Sequence, residues 1–401
     1  MLVLLFLIAG WGTFERFTFN NAAPFLAMFI LLVWRIAYAS QHGVNALNRT
    51  WIKFLFLMMF VGSGLIGLAH NNEAKDIFRD LGSIASFVLF LLYTQSLYTN
   101  EWAGRRIFWS IIVLCALISV AAIIFAAWAA AAGADSYVWR GEYVPTAAEW
   151  IIYGWSAALL LFLRDSSFPW TLKWYFLLMM AGIFASLSRT NILLAIVLYL
   201  LISIVDAIDR RKYLKIAQTF AVLAVLAAGA YFALADVPVF NERITATTEA
   251  DQDQSIGWRL LEHEAFFDDL ERWSPVELAF GRGLGYRLPL PPGVLDFDGR
   301  PSIPYLHDSY ATIFMKFGGC GLLFVIFSIC YCMFHGWKRH KREKALSPAV
   351  GALFLLVVAA KAVTLQGLSS YQNLMFAGVS VALVVQGHRD RFVDLVAKEA
   401  S

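Results

Sequence analysis

Apolar runs recur along almost the whole chain, near residues 1–12, 24–39, 54–69, 80–98, 107–132, 150–163, 172–187, 191–205, 216–235, 308–334, 348–365 and 371–387. Their length restricts the fold more than any motif does. A helix crosses a hydrocarbon core with about 20 residues, about 17 to 25 being seen. It does so as a helix because backbone polar groups must be satisfied within the segment once water is gone. The expectation is an all-α polytopic membrane protein with about 12 transmembrane helices. Composition agrees: 60% of the 401 residues are hydrophobic and 15% charged, whereas a soluble domain carries about 25% charged residues. Met1 to Gly12 is short for a span and lacks the basic n-region and small-residue site of a cleaved signal. Cys115, Cys320, Cys330 and Cys332 all fall in apolar runs, so they read as packing residues and not as a disulfide framework. A net charge of +3 is too small to argue for nucleic acid.

Lys and Arg set the expected orientation. They collect at 49 and 53, 105 and 106, 164 and 173, 210 to 215, 338 to 344 and 389 to 398, while the alternate loops hold only Arg16, Lys75, Arg79, Arg140 and Arg189. The first set is therefore expected inside, with both termini, leaving residues 236–306 as one large extracytoplasmic loop. The expected order is spans 1 to 9 over residues 1–235, the loop over 236–306, spans 10 to 12 over 307–387 and a cytoplasmic tail over 388–401. A segment of that length is too long for a connector in a compact bundle and points to function.

The loop holds Arg243, Arg259, Arg272, Arg282, Arg287 and Arg300 but no lysine. Guanidinium forks take phosphate in a bidentate way that an ammonium cannot, and pairing with the loop's own acids is the competing reading. Residues 255–270 read as an amphipathic helix with a stripe of Ile256, Leu260, Phe266, Phe267 and Leu270, suited to the bilayer surface or to capping the bundle. Arg259 falls in its first turn.

Arg189 stands in Ser186-Leu-Ser-Arg-Thr-Asn191, a minimal connection between two apolar runs. An arginine at mid-membrane costs about 2.5 to 3.5 kcal/mol on insertion scales, so a function or headgroup contact should offset it. With Ser188 or Thr190 as cap, the following helix begins here, and a helix N-terminus beside a guanidinium is an anion site. His307 precedes another apolar helix, with Asp308 or Ser309 as its cap. The dipole there disfavours the imidazolium while Asp308 favours it, and a neutral imidazole can serve as general base. Gly281-Arg-Gly-Leu-Gly285 lacks the strand that a dinucleotide fingerprint needs and reads as a tight turn where backbone approaches backbone. Asp251-Gln-Asp253 and Asp296-Phe-Asp298 match a metal-holding acidic pair only loosely. Lys316 and Lys361 lie in apolar runs and should face the interior or snorkel.

Taken in order, Ser188-Arg189-Thr190, Arg259, Gly281 to Gly285, His307-Asp308-Ser309-Tyr310 and Gly318 to Gly321 resemble the O-antigen ligase and polymerase superfamily of bacterial envelope glycosyltransferases. The likeness covers roughly residues 150–335; Asp308 replaces a commoner Asn, Ala311 a larger apolar residue and His263 a frequent Trp. The resemblance implies a GT-C-like fold with short helices in a periplasmic loop. It also implies transfer of a glycan from an undecaprenyl-diphosphate donor to a hydroxyl at the outer face of the bacterial inner membrane. In the ligase branch, taken first, the acceptor is the lipid A core; in the polymerase branch it is another lipid-linked repeat unit. The expected reaction inverts the anomeric carbon without metal or cofactor. His307 is the base, Arg189 and Arg259 hold the diphosphate, and Arg282, Arg287 and Asp308 assist. A secondary transporter is the rival from another class, since about twelve spans suit carriers too.

Overall fold

The computed structural model describes residues 61–97, 101–133, 146–164, 171–186, 188–209, 254–296, 299–343, 346–364 and 371–385, with Ile30 and Trp34. The runs at 1–12 and 216–235, nearly all of 24–39 and the first part of 54–69 lie outside them, as do Asp251, Asp253 and Asp298. The chain is mostly helical. In order, the described elements are α1 (Ser63–Ala69), α2 (Ala74–Leu97), α3 (Glu101–Ala131), a 3-10 turn (Thr146–Trp150), α4 (Ile151–Arg164), α5 (Thr171–Ala185) and α6 (Arg189–Asp209). Then follow α7 (Gln254–Leu270), α8 (Pro275–Phe280), β1 (Leu288–Pro289), β2 (Ser302–Ile303), α9 (Ser309–Glu343), α10 (Leu346–Thr364) and α11 (Tyr371–Val385). Among the described residues, five helices are long and apolar enough to cross a membrane: Ala74–Gln95, Arg106–Ala131, Arg189–Ile208, Ser309–Glu343 and Leu346–Val363. Three shorter apolar helices, Ala148–Phe162, Leu172–Ala185 and Asn373–Val385, accompany them.

The surfaces of these helices fit an apolar surrounding. On α9, Leu323 and Phe327 are 69% exposed and Phe334 70%; on α3, Ile124 and Trp128 are 60% exposed. In water such stripes would be a liability, and against lipid tails they cost nothing.

Two compact units divide the chain, one holding α3 from Arg105 onward with α4 to α6, the other holding α1, α2 and α7 to α11. The second unit thus joins the described part of the 236–306 segment to helices from both ends of the sequence. In the first unit, α4 is buried nearly all round, including Tyr153 and Trp155 in its first turns, as is Trp150 just before it, as expected of a helix apolar on every face. Small residues set the spacing: a side chain at Gly154 would strike Cys115, and one at Gly182 would strike Ser119.

In the second unit, α2 packs on α11, α11 on α10 and α10 on α9. Helix α9 is not one rod. Gly318 has φ 65° and ψ −171°, and the break separates an opening stretch of two to three turns from the long apolar part. Nine residues of helix extend only about 13 Å, so Ser309 to Phe317 forms a short stalk before the long apolar part. Ala311 and Met315 of this stalk join a separate small core with Ala265, Phe266, Trp273, Tyr286, Leu288, Leu290, Ile303 and Leu306. Trp273 stacks on Phe314 at 5.9 Å, and Phe266 meets the same ring edge-on at 6.1 Å. Strands β1 and β2 pair antiparallel, Leu288 opposite Ile303.

The glycine turn locks this core onto the long apolar helices. Gly281, Gly283 and Gly285 have φ of 76°, 80° and 81°, a region closed to most side chains. Arg282 N–H donates to Met315 O at 2.9 Å and Gly283 N–H to Lys316 O at 3.2 Å. These donors satisfy carbonyls at the break in α9, and Ser63 Oγ adds a third bond, to Lys316 O at 3.0 Å. On the other side, Leu284 N–H donates to Ser63 O at 3.0 Å. A Cβ on Gly283 would collide with the backbone of Gly67, and one on Gly318 with Ala279 and Phe280.

Candidate functional site

His307 and its neighbours are set by two helices. On α7, Trp258, Leu261, Glu262, Ala265, Phe266 and Asp269 recur at helical spacing and face the small core, with Glu262 and Asp269 buried. The apolar stripe expected from sequence does not stay together: Phe266 is buried, whereas Leu260 is 66% and Phe267 59% exposed. Two carboxylates take the inward positions because each finds a tryptophan one turn away. Trp258 Nε1 donates to Glu262 Oε1 at 2.7 Å, and Trp273 Nε1 to Asp269 Oδ2 at 3.0 Å.

Glu262 reaches His307 twice. Its Oε2 accepts from the His307 backbone N–H at 2.9 Å, and its Oε1 stands 2.9 Å from His307 Nδ1. The imidazole is about one-third exposed while the carboxylate is 3% exposed. Asp308 follows as the cap of α9: its Oδ1 accepts from Tyr310 N–H at 2.8 Å and from Ala311 N–H at 3.3 Å. Thr312 Oγ1 accepts from Leu306 N–H at 2.9 Å and so fixes the approach to the cap. Asp308 therefore serves the helix terminus through backbone donors, leaving Glu262 as the acid in contact with the His307 ring. Arg259 lies three residues before Glu262, so the two side chains leave α7 from neighbouring positions on one side.

Arg282 and Arg287 find most of their partners within the loop. Arg282 reaches Glu277 at 2.8 Å and Asp269 at 3.1 Å, donates to Tyr286 Oη at 2.7 Å and lies over the rings of Trp273 and Tyr286. Arg287 reaches Asp296 at 2.8 Å and Ser302 Oγ at 3.0 Å, with Asp76 at 3.5 Å. Asp296 also accepts from Arg300 N–H at 2.7 Å. Pairing with the loop's own acids thus describes Arg282, Arg287 and Asp296. The backbone N–H of Ser274, and then Arg282, hold the Glu277 carboxyl down at about 2. Burial, reinforced by Asp269, pushes the Tyr286 phenol up.

Lys316 is buried and ion-paired with Asp80 of α2, which also accepts from Tyr305 Oη at 2.7 Å and from Gly285 N–H at 2.8 Å. Beside this cluster a cavity of about 120 Å³ continues among α2, α9, α10 and α11, past Phe87, Ile329, Cys332, Leu355 and Val381. Its wall is apolar apart from the charged end. Lys361 is buried as well.

In the first unit, Arg189 is the first residue of α6. Ser188 caps that helix, its Oγ accepting from Asn191 N–H at 3.4 Å. Glu149, in the 3-10 turn before α4, stands 3.3 Å from both Ser188 Oγ and Asn191 Nδ2. The structure thus groups Arg259, His307, Arg282, Arg287 and Asp308 in one unit and places Arg189 in the other. Glu262 and Glu149 were not singled out from sequence. A Trp258-to-Glu262 spacing of four is the signal from which the first could have been found, while nothing local marked the second. The chain matches no protein-family model and no curated protein.

Proposed function

We propose that this chain is a multi-pass glycosyltransferase of the bacterial inner membrane, with about twelve spans, both termini cytoplasmic and residues 236–306 facing the periplasm. The reaction is that of an O-antigen ligase, moving a glycan from undecaprenyl diphosphate to a hydroxyl of the lipid A core. The observation that carries this reading is on α7. One helix places Arg259 a turn away from Glu262, the carboxylate that holds His307. A cation for a leaving diphosphate and the carboxylate that holds the base for an incoming hydroxyl thus belong to one helix, with His307 itself at the start of α9.

The acceptor oxygen attacks the anomeric carbon as its proton passes to His307, and the bond from that carbon to the diphosphate breaks on the opposite face, inverting the centre. Arg259 neutralises the charge that collects on the diphosphate, best where water is scarce. Arg189, at the start of α6, is assigned the same anion-binding role in the first unit. Arg282 and Arg287 keep the loop core in shape.

The break at Gly318 and the buried pair Asp80 and Lys316 also favour a second reading, a transporter, since broken helices and buried charges mark carriers. Against it, the carbonyls at this break are satisfied by Arg282 N–H, Gly283 N–H and Ser63 Oγ. Such a break serves packing. Purified protein in nanodiscs, mixed with undecaprenyl-diphosphate glycan with and without lipid A core in excess EDTA, should form glycosylated core only in the first mixture. Longer lipid-linked glycan without core would make it a polymerase, a strict divalent-ion requirement would overturn the metal-free route, and movement of solute without donor consumption would favour the transporter.

A further inference from the structure

We propose, resting on the glycosyl-transfer reading, that Glu262 is the positioning residue of the site: it holds His307 as the Nδ1–H tautomer and turns Nε2, with its lone pair, toward the acceptor hydroxyl. A carboxylate only accepts hydrogen bonds. With Glu262 Oε1 at 2.9 Å from Nδ1, the proton of a neutral ring belongs on Nδ1, and the basic lone pair is on Nε2. The same carboxylate accepts from the His307 backbone N–H at 2.9 Å, so ring and main chain are held by one group and the ring cannot turn without breaking a contact. Glu262 is fixed in its turn by Trp258 Nε1 at 2.7 Å and by burial to 3% exposure. Asp308 is engaged with Tyr310 N–H and Ala311 N–H.

The step balances. The acceptor O–H bond breaks with its proton moving to Nε2, the oxygen to anomeric carbon bond forms, and the carbon to diphosphate bond breaks with its electron pair leaving on the diphosphate. The positive charge created on the ring then lies beside the Glu262 carboxylate, the role a buried acid plays behind a catalytic histidine. Water or the departing diphosphate takes the proton afterwards.

The test has two arms on the full-length protein in nanodiscs. Nitrogen-15 NMR, with the His307 signals assigned by difference from His307→Ala, should show a protonated Nδ1 and an unprotonated Nε2 in the neutral ring. An Nε2–H tautomer overturns the proposal. In transfer assays with undecaprenyl-diphosphate glycan and lipid A core, Glu262→Gln should lower kcat about 10²-fold with KM for the donor within about twofold, because Gln keeps the shape but not the charge. Glu262→Asp should recover at least about a tenth of wild-type kcat. A Gln variant within about threefold of wild-type kcat overturns the proposal. If Glu262→Gln does not fold, as read from its melting transition, the NMR arm on the wild type decides. The failures separate: wild-type protein that consumes no donor sinks the transferase reading, whereas loss of activity in His307→Ala with none in Glu262→Gln sinks only the positioning role.

Discussion

The start of α6 and the start of α9 are built from the same kinds of parts and finish differently. Each begins with a short polar cap, Ser188 in one and Asp308 in the other, and each is braced by a carboxylate from another element, Glu149 or Glu262. At α6 the brace contacts the cap and Asn191, and the residue delivered to the helix end is Arg189. At α9 the brace contacts the ring of His307 itself. A helix end that must hold an anion needs its cap secured; one that must move a proton needs its base oriented. On the proposed function, the start of α6 would supply binding and the start of α9 chemistry.

The largest effect expected is on the platform beneath α9. Gly283→Ala places a side chain against Gly67 at a positive φ, and the strain alone costs about 1 to 3 kcal/mol. The variant should show a lowered melting temperature and more tryptic cleavage in residues 270–290, while the equivalent change at the exposed Gly257 should not. Next comes Arg189→Lys, which keeps the charge and loses the fork. Donor titrations should show KM rising about tenfold with kcat less affected, and the reverse split would break the division of labour between the two helix starts. The caps give a matched pair: Ser188→Ala and Asp308→Ala should each cost about 1 kcal/mol in thermal melts. Asp308→Asn keeps the cap and should transfer glycan within about twofold of the wild-type rate, whereas a larger loss would give the Asp308 charge a role in the reaction.

The smallest effect is a pH dependence. Glu277 is held at about 2 against an ordinary 4.5, so the unfolded chain takes up the proton more readily. Its contribution to the loop is complete above its unfolded value, declines as pH falls below 4.5 and is gone once pH passes below about 2. The Glu277 side chain is 17% exposed, and the solvent it keeps screens part of the contribution. Hydrogen exchange of residues 275–286 in wild type, relative to Glu277→Gln, should be slower at neutral pH and converge with it across that window.

Long apolar helices were the most legible level of the structure; the runs at 80–98, 107–132, 191–205, 308–334 and 348–365 correspond to the five described helices long and apolar enough to cross a membrane. The turn at Gly281 to Gly285 was legible too, since three glycines at alternate positions argue for positive φ. The inward face of α7 was not. Periodicity grouped Leu260 and Phe267 with Phe266 in one apolar stripe, but the inward face belongs to Phe266 with Glu262 and Asp269, whose cost of burial is offset by Trp258, Trp273, His307 and Arg282. Partners from distant parts of the chain decide such an exchange, and a helical wheel does not contain them. Nor could hydropathy find the break at Gly318, which depends on backbone donors from the glycine turn.

The division between binding and chemistry is tested most directly on His307→Ala in nanodiscs, by measuring undecaprenyl-diphosphate binding and glycan transfer on the same preparation. The account predicts a donor Kd within about threefold of wild type and transfer reduced about 10³-fold. Transfer near the wild-type rate, or loss of donor binding in step with transfer, would contradict it.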